Sequence, residues 1–224
     1  MKSYLKSFSL FLICFLLLFS LQNVYAICPV QLIVKKEYHF ESPGTSTTVT
    51  IPEIKGVEDS KVAKEVNQLI QDSVDDYLQQ VKEYDQSYNQ MNDSQVKKWL
   101  IDINYQTYYV DCNVISFSIN STQINASSYL QKTFLNIDLK TGKLLTVEDF
   151  IGKDYQKIIK DEVQRQVKDD EKNQQFIYFN DAIENLEITK QQLFYINKDK
   201  QVVVVFNEFD IAPGYMGMPE FIIS

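Results

Sequence analysis

"WLIDINYQTYYVDCNVISFSINSTQINASSYLQKTFLNIDLKTGK", residues 99–143, decides how this chain folds. It holds three runs rich in Tyr, Phe, Ile and Thr: "WLIDINYQTYYVD", "NVISFSINSTQI" and "SYLQKTFLNIDLK". β-Branched and aromatic residues of this kind fit a pleated, half-buried surface. The break at Asp111, Cys112 and Asn113 is hairpin-sized, and "KTGK" at Lys140–Lys143 is a turn in which Gly142 supplies a positive φ. The stretch therefore predicts a meander of antiparallel strands.

Upstream, "VQLIVKKEYHFES" and "TSTTVTIPEIKG" predict two strands parted by Ser42, Pro43 and Gly44. Asp59 and Ser60 then cap a helix in which Val62, Val66, Leu69, Ile70, Val74, Tyr77, Leu78 and Val81 recur every three or four residues. Lys64, Glu65, Gln68, Asp72 and Asp75 take the opposite face, so the helix is expected to pack on a sheet. Downstream, "LTVEDFIGKDYQKIIKDEVQRQVKDDEK" predicts a second helix entered through Thr146 and Asp149. "KQQLFYINKDKQVVVVFNEFDIA" predicts two more strands around the turn "NKDK". The fold class expected is α+β: two successive blocks of antiparallel strands, each with one packed helix. The division is expected as a signal at 1–26, one domain over 27–126 and a second over 127–224.

The first 26 residues have the parts of an export signal. Lys2 and Lys6 are followed by an apolar run from Phe8 to Leu21, with Val24 and Ala26 as the small residues of a cleavage site. The run is shorter than the roughly 20 residues that cross a bilayer as a helix, so cleavage and secretion are expected, an uncleaved membrane anchor being the alternative. Cys14 leaves with the signal, and Cys28 and Cys112 remain as a candidate disulfide in an oxidising compartment.

The formal net charge of −8 excludes nucleic acid and anionic membranes as charge-driven partners and favours basic ones. With His39 as the single histidine, a His-rich zinc site and a Ser-His-Asp triad are poorly supplied. Six glycines and no GxGxxG, GxSxG or GxxxxGK[ST] leave no phosphate-cradling loop. No cofactor, metal or catalytic residue is expected. Glu208 and Asp210, at i and i+2 of the last predicted strand, are the one carboxylate pair spaced for glycoside hydrolysis, and edge-strand solvation explains them better. The sequons at Asn92, Asn120 and Asn125 read as polar strand and loop positions.

The chain closes on "FDIAPGYMGMPEFIIS", residues 209–224, which holds two of its five prolines and two of its six glycines. Pro213 fixes φ, Gly214 and Gly217 permit turns closed to other residues, and Tyr215, Met216 and Met218 are displayed on a stiffened loop. A stiff loop with an aromatic tip loses little entropy on docking.

"FLNIDLKTGKLLTVEDFI" followed by "LFYINKDKQVVVVFNEFDIAPGYMGMPEFII" resembles the C-terminal extracytoplasmic domain of RsiV-type anti-sigma factors, found also in some peptidoglycan deacetylases. "VTIPEIKGVEDSKVAKEVNQLI" is similar to the domain that precedes it in the deacetylases. In the anti-sigma relatives this domain is a receptor for lysozyme. The resemblance therefore implies a secreted binding module for lysozyme or another wall-active protein, with Pro213, Gly214, Tyr215 and Met216 as contact residues. Only seven residues precede the apolar run, so direct binding of a sigma factor is not expected, and the lone histidine departs from a His-containing metal deacetylase site. A different reading makes the chain a wall accessory that binds peptidoglycan glycan directly, with Trp99, Tyr105, Tyr108 and Tyr109 as stacking surfaces.

Overall fold

The structure, a computed structural model, describes residues 28–90, 97–172 and 176–223. The signal segment with Cys14, and the sequon at Asn92, lie outside the described residues.

Strands β1 (Gln31–Glu41), β2 (Thr45–Lys55), β3 (Trp99–Val110), β4 (Val114–Ile124) and β5 (Ser128–Asp138) form one five-stranded sheet in chain order. Helix α1 (Ser60–Gln90) lies on one face, with Val62, Val66, Ile70, Val74, Tyr77 and Val81 buried against Val49, Ile101, Ile103, Ile115, Phe117 and Ile119. Its entry is capped by Asp59, whose carboxylate accepts from the Lys61 N–H at 2.8 Å.

The chain is α+β, as the alternation of blocks predicts, with one departure from an all-antiparallel arrangement. β2 and β3 run parallel, Thr45 facing Trp99 and Val49 facing Ile103. Parallel neighbours need a crossover long enough to return the chain to the same end of the sheet, and α1 provides it. Pro52, which has no N–H for a ladder, sits beyond the last β2–β3 pair and opposite the register shift between Val34 and Lys36 of β1. The boundary expected at residue 126 falls in the β4–β5 turn, and β5 continues the first sheet through full antiparallel pairing with β4.

The second unit contains α2 (Val147–Ile151), α3 (Tyr155–Lys172), α4 (Asn180–Glu184) and a three-stranded sheet of β6 (Phe194–Ile196), β7 (Val202–Val205) and β8 (Glu220–Ile223). Gly152 interrupts the predicted second helix, which becomes α2 and α3. Ile159, Val163 and Val167 of α3 pack on Val202, Val204, Phe221 and Ile223.

At the entry to α2 the Thr146 N–H and hydroxyl both donate to Asp149 Oδ2, at 2.7 and 2.8 Å. These bonds, the backbone one foremost, hold the Asp149 carboxyl below the usual aspartate range. A carboxyl lowered on folding stabilises the fold above its unfolded value, and that contribution is lost as pH falls through the folded value. The thermal midpoint is therefore expected to drop below pH about 4, and to drop less steeply in Asp149→Asn, when melting is followed across acid pH.

The two sheets meet through polar side chains. Ser116 and Asn136, buried and paired across β4 and β5, turn toward the free edge of β6. Asn136 Nδ2 donates to the Phe194 carbonyl at 2.8 Å, the Ile196 N–H donates to Ser116 Oγ at 2.9 Å, and Ser116 Oγ donates to Asn136 Oδ1 at 2.6 Å. An unpaired strand edge is thus satisfied inside the molecule. Asn136→Ala leaves the Phe194 carbonyl and the Ser116 hydroxyl short of partners, and is expected to cost about 2 kcal/mol in denaturant unfolding.

Candidate functional site

The closing segment is a clamped protrusion. Ile211 and Ala212 are buried, Pro213 sets the exit at φ −59°, and Gly214–Met216 forms one 3₁₀ turn. The Met216 N–H donates to the Pro213 carbonyl and the Gly217 N–H to the Gly214 carbonyl, both at 3.0 Å. Beyond the turn Gly217 takes φ +66°, a conformation open to glycine, and Pro219 is buried again. Met216 packs against the second core, so of the four residues predicted to form the tip it faces inward. Tyr215 is 77% exposed.

β7 stops at Val205, which corrects the reading of "VVVVFNEFDIA" as one strand. The Phe206 N–H donates to the Pro219 carbonyl, and the Asn207 N–H donates to Asp210 Oδ2 at 3.0 Å, closing a turn. Glu208 and Asp210 therefore share no strand face. Glu208 Oε1 instead accepts from the Leu130 N–H at 3.3 Å.

Phe209 is the feature the sequence reading missed. Its φ is +69°, which costs a bulky residue energy, and its side chain is 63% exposed. A Cβ built on Gly214 would lie 2.2 Å from Phe209 Cζ, so the absence of a side chain at 214 is what lets the ring lie against the turn. The Phe179 N–H donates to the Ile211 carbonyl at 2.8 Å, which brings the exposed residues Phe176, Ile177 and Phe179 alongside. Exposed apolar side chains are thus supplied by two segments that meet at Ile211. Residues 176–189 and 201–223 supply Asp181, Glu184, Glu187, Glu208, Asp210 and Glu220 but no lysine or arginine. A concavity of about 350 Å³ opens beside the loop, lined in part by Leu186, Gln192, Phe206 and Asp210.

The four aromatic residues considered as a sugar platform do not share a face. Trp99 stacks on Tyr84 at 5.1 Å and, with Tyr105, packs on the first core, whereas Tyr109 packs on the second. Tyr108 stacks on Tyr195 at 4.0 Å, where the two units meet. His39 is exposed and hydrogen-bonded to Thr48 and Glu41. Cys28 and Cys112 are joined as a disulfide, their Cα atoms 5.4 Å apart. Among the described residues there is no cluster of three or more His, Cys, Asp or Glu placed to hold a metal, and no helix long and apolar enough to cross a membrane.

The chain is 30% identical over 203 residues to the anti-sigma-V factor RsiV of Bacillus subtilis (strain 168), spanning 87% of this chain and 68% of that protein. The chain belongs to the RsiV family. Residues 39–124 match the family described as deacetylase PdaC, and residues 145–224 match the protein family of unknown function DUF3298. The fold is shared with two crystal structures of DUF3298 proteins. The one from Bacteroides fragilis NCTC 9343 has a TM-score of 0.63 and 19% identity, over 87% of this chain and 90% of that one. The one from Pseudomonas aeruginosa PAO1 has a TM-score of 0.52 and 13% identity, over 88% and 90%.

Proposed function

We propose that this RsiV-family chain is an exported, non-catalytic receptor module that docks a basic wall-active protein, lysozyme being the leading example, on the protrusion at Pro213–Met216. The observation that carries the reading is Tyr215, 77% exposed on a turn fixed at both ends, in a segment, residues 201–223, that supplies Glu208, Asp210 and Glu220 but no lysine or arginine. A preformed tip forfeits little conformational entropy on binding, and an aromatic anchor supplies large contact area for two rotatable bonds. The acidic surround steers a basic partner toward it. Kinship to an anti-sigma factor supports a binding role over catalysis. Glu208 and Asp210, each accepting from a backbone N–H of a turn or strand, are used structurally rather than facing one another across a substrate. The export signal at 1–26 and the disulfide support an oxidising, extracytoplasmic setting.

Immobilised lysozyme is expected to retain the protein at low ionic strength and to release it progressively as salt rises, because the attraction is screened within a Debye length. Failure of retention at low ionic strength overturns the reading.

A further inference from the structure

The concavity beside the closing loop is bounded by the turn after α4, the approach to β6 and the turn after β7. Leu186, Phe206 and Ile211 of the second core form its floor, and the exposed residues Glu187, Asn207 and Asp210 stand at its rim. Ligand cavities run from about 300 to 1,000 Å³, so a volume of about 350 Å³ admits a single side chain rather than an element of a partner's fold. Asp210 and Ile211 of the lining lie just before Pro213, so the cavity and the tip belong to one stretch of chain.

The polar atoms of this lining are biased toward acceptors. Gln192 Nε2 is committed to the Val205 carbonyl at 2.8 Å, and Asn185 Nδ2 to the Asp181 carbonyl at 2.9 Å. The Asn207 N–H and Nδ2 both donate to Asp210 Oδ2, at 3.0 and 3.2 Å. Among the described residues, nothing donates to the Glu187 carboxylate, to Asp210 Oδ1 or to Gln192 Oε1. The lining contains two carboxylates and no lysine or arginine. Lys190, the one cation in residues 176–193, is ion-paired with Glu148 at 3.4 Å.

An apolar floor under a rim of acceptors selects a ligand that is apolar along its length and carries donors at its end. An anion would be repelled by the two carboxylates, and an aliphatic group would use the floor alone. Arginine satisfies both parts: its methylene stem covers apolar surface, and its planar guanidinium offers five N–H donors and no acceptor. The fork serves acceptors on separate segments at once, where an ammonium is a point charge.

We propose that this cavity receives an arginine side chain of the basic partner that docks on the protrusion, with Glu187 and Asp210 Oδ1 meeting the guanidinium. The partner rests on the function proposed above, and the guanidinium chemistry rests on the cavity alone.

Titration of the whole protein with Nα-acetyl-arginine amide, followed by nuclear magnetic resonance, should give saturable shifts in the side-chain amide signals of Gln192 and Asn207, with a dissociation constant of about 1–10 mM. The matching citrulline amide, in which a neutral urea replaces the guanidinium, should give none over the same range. On immobilised lysozyme at low ionic strength, Glu187→Gln should weaken binding about tenfold. Glu184→Gln, which removes the same charge outside the cavity, should weaken it less than about twofold. Both positions are exposed, so thermal melting should not move in either variant. Equal shifts with the two amides, no saturable shift with either, or equal lysozyme affinity in Glu187→Gln and Glu184→Gln overturns the proposal. Guanidinium-selective binding with no retention on lysozyme would uphold the cavity and overturn the docking reading instead.

Discussion

Removing the bridge between Cys28 and Cys112, by reduction or by the double change Cys28→Ser and Cys112→Ser, is expected to lower the unfolding free energy by about 4 kcal/mol. The bond closes a loop over a sequence separation of 84, and cross-linking positions that far apart removes much of the freedom of the unfolded chain. The folded state gains as well. β1 is an edge strand, largely exposed along its length, and the bridge fastens the residues before it to the β3–β4 turn. Val30 is buried there, and Gly56 approaches the Pro29 carbonyl so closely that a Cβ at 56 would lie 2.1 Å from it. For a protein of this size the loss corresponds to a fall of about 10 °C in melting temperature. Denaturant unfolding with and without reductant gives the free energy and the m-value together. A shift below about 1 kcal/mol at unchanged m would mean that the bridge constrains neither state, and the argument from loop closure would fail.

The sequence showed the alternation of the first sheet but not what its polar half is for. Ser116, Ser118 and Asn120 alternate with Ile115, Phe117 and Ile119, and period-two alternation identifies the strand and the face under α1 without ambiguity. Whether the polar face meets water or another element depends on β6, more than 70 residues later, and no local rule connects the two. The parallel pairing of β2 with β3 escaped for a similar reason. Both runs read as strands, and only the length of the intervening helix bears on their relative direction. The strand reading of "VVVVFNEFDIA" runs past the end of β7 because Phe206, Phe209 and Ile211 carry apolar residues through a turn closed by Asp210 on Asn207. β8 was absorbed into the predicted loop, although "EFII" buries Phe221 and Ile223 on one side. At the protrusion, Pro213, Gly214 and Gly217 announced the turn, and the exposure of Tyr215 agrees with what they imply. The positive φ of Phe209 carried no signal, because phenylalanine seldom adopts it.

Tyr215→Ala is expected to weaken capture of the basic partner by a factor of about 30 to 1,000, equivalent to about 2–4 kcal/mol, the loss usual for a central aromatic anchor. The same change should leave the unfolding free energy within about 0.5 kcal/mol of wild type, since a side chain 77% exposed contributes little to the core. Met216→Ala separates display from support. Met216 packs on the second core, so its truncation should lower stability and binding together. Gly214→Ala tests the shape of the surface: the added methyl would displace the Phe209 ring, and affinity should fall while Tyr215 itself is intact. Surface plasmon resonance on immobilised lysozyme, paired with thermal melting of each variant, gives both quantities. The loss in Tyr215→Ala should lie mainly in a faster off-rate, because the acidic surround that governs encounter is untouched. Equal affinity in Tyr215→Ala and wild type would remove the tip from the interface, and a loss confined to the on-rate would assign binding to the carboxylates alone.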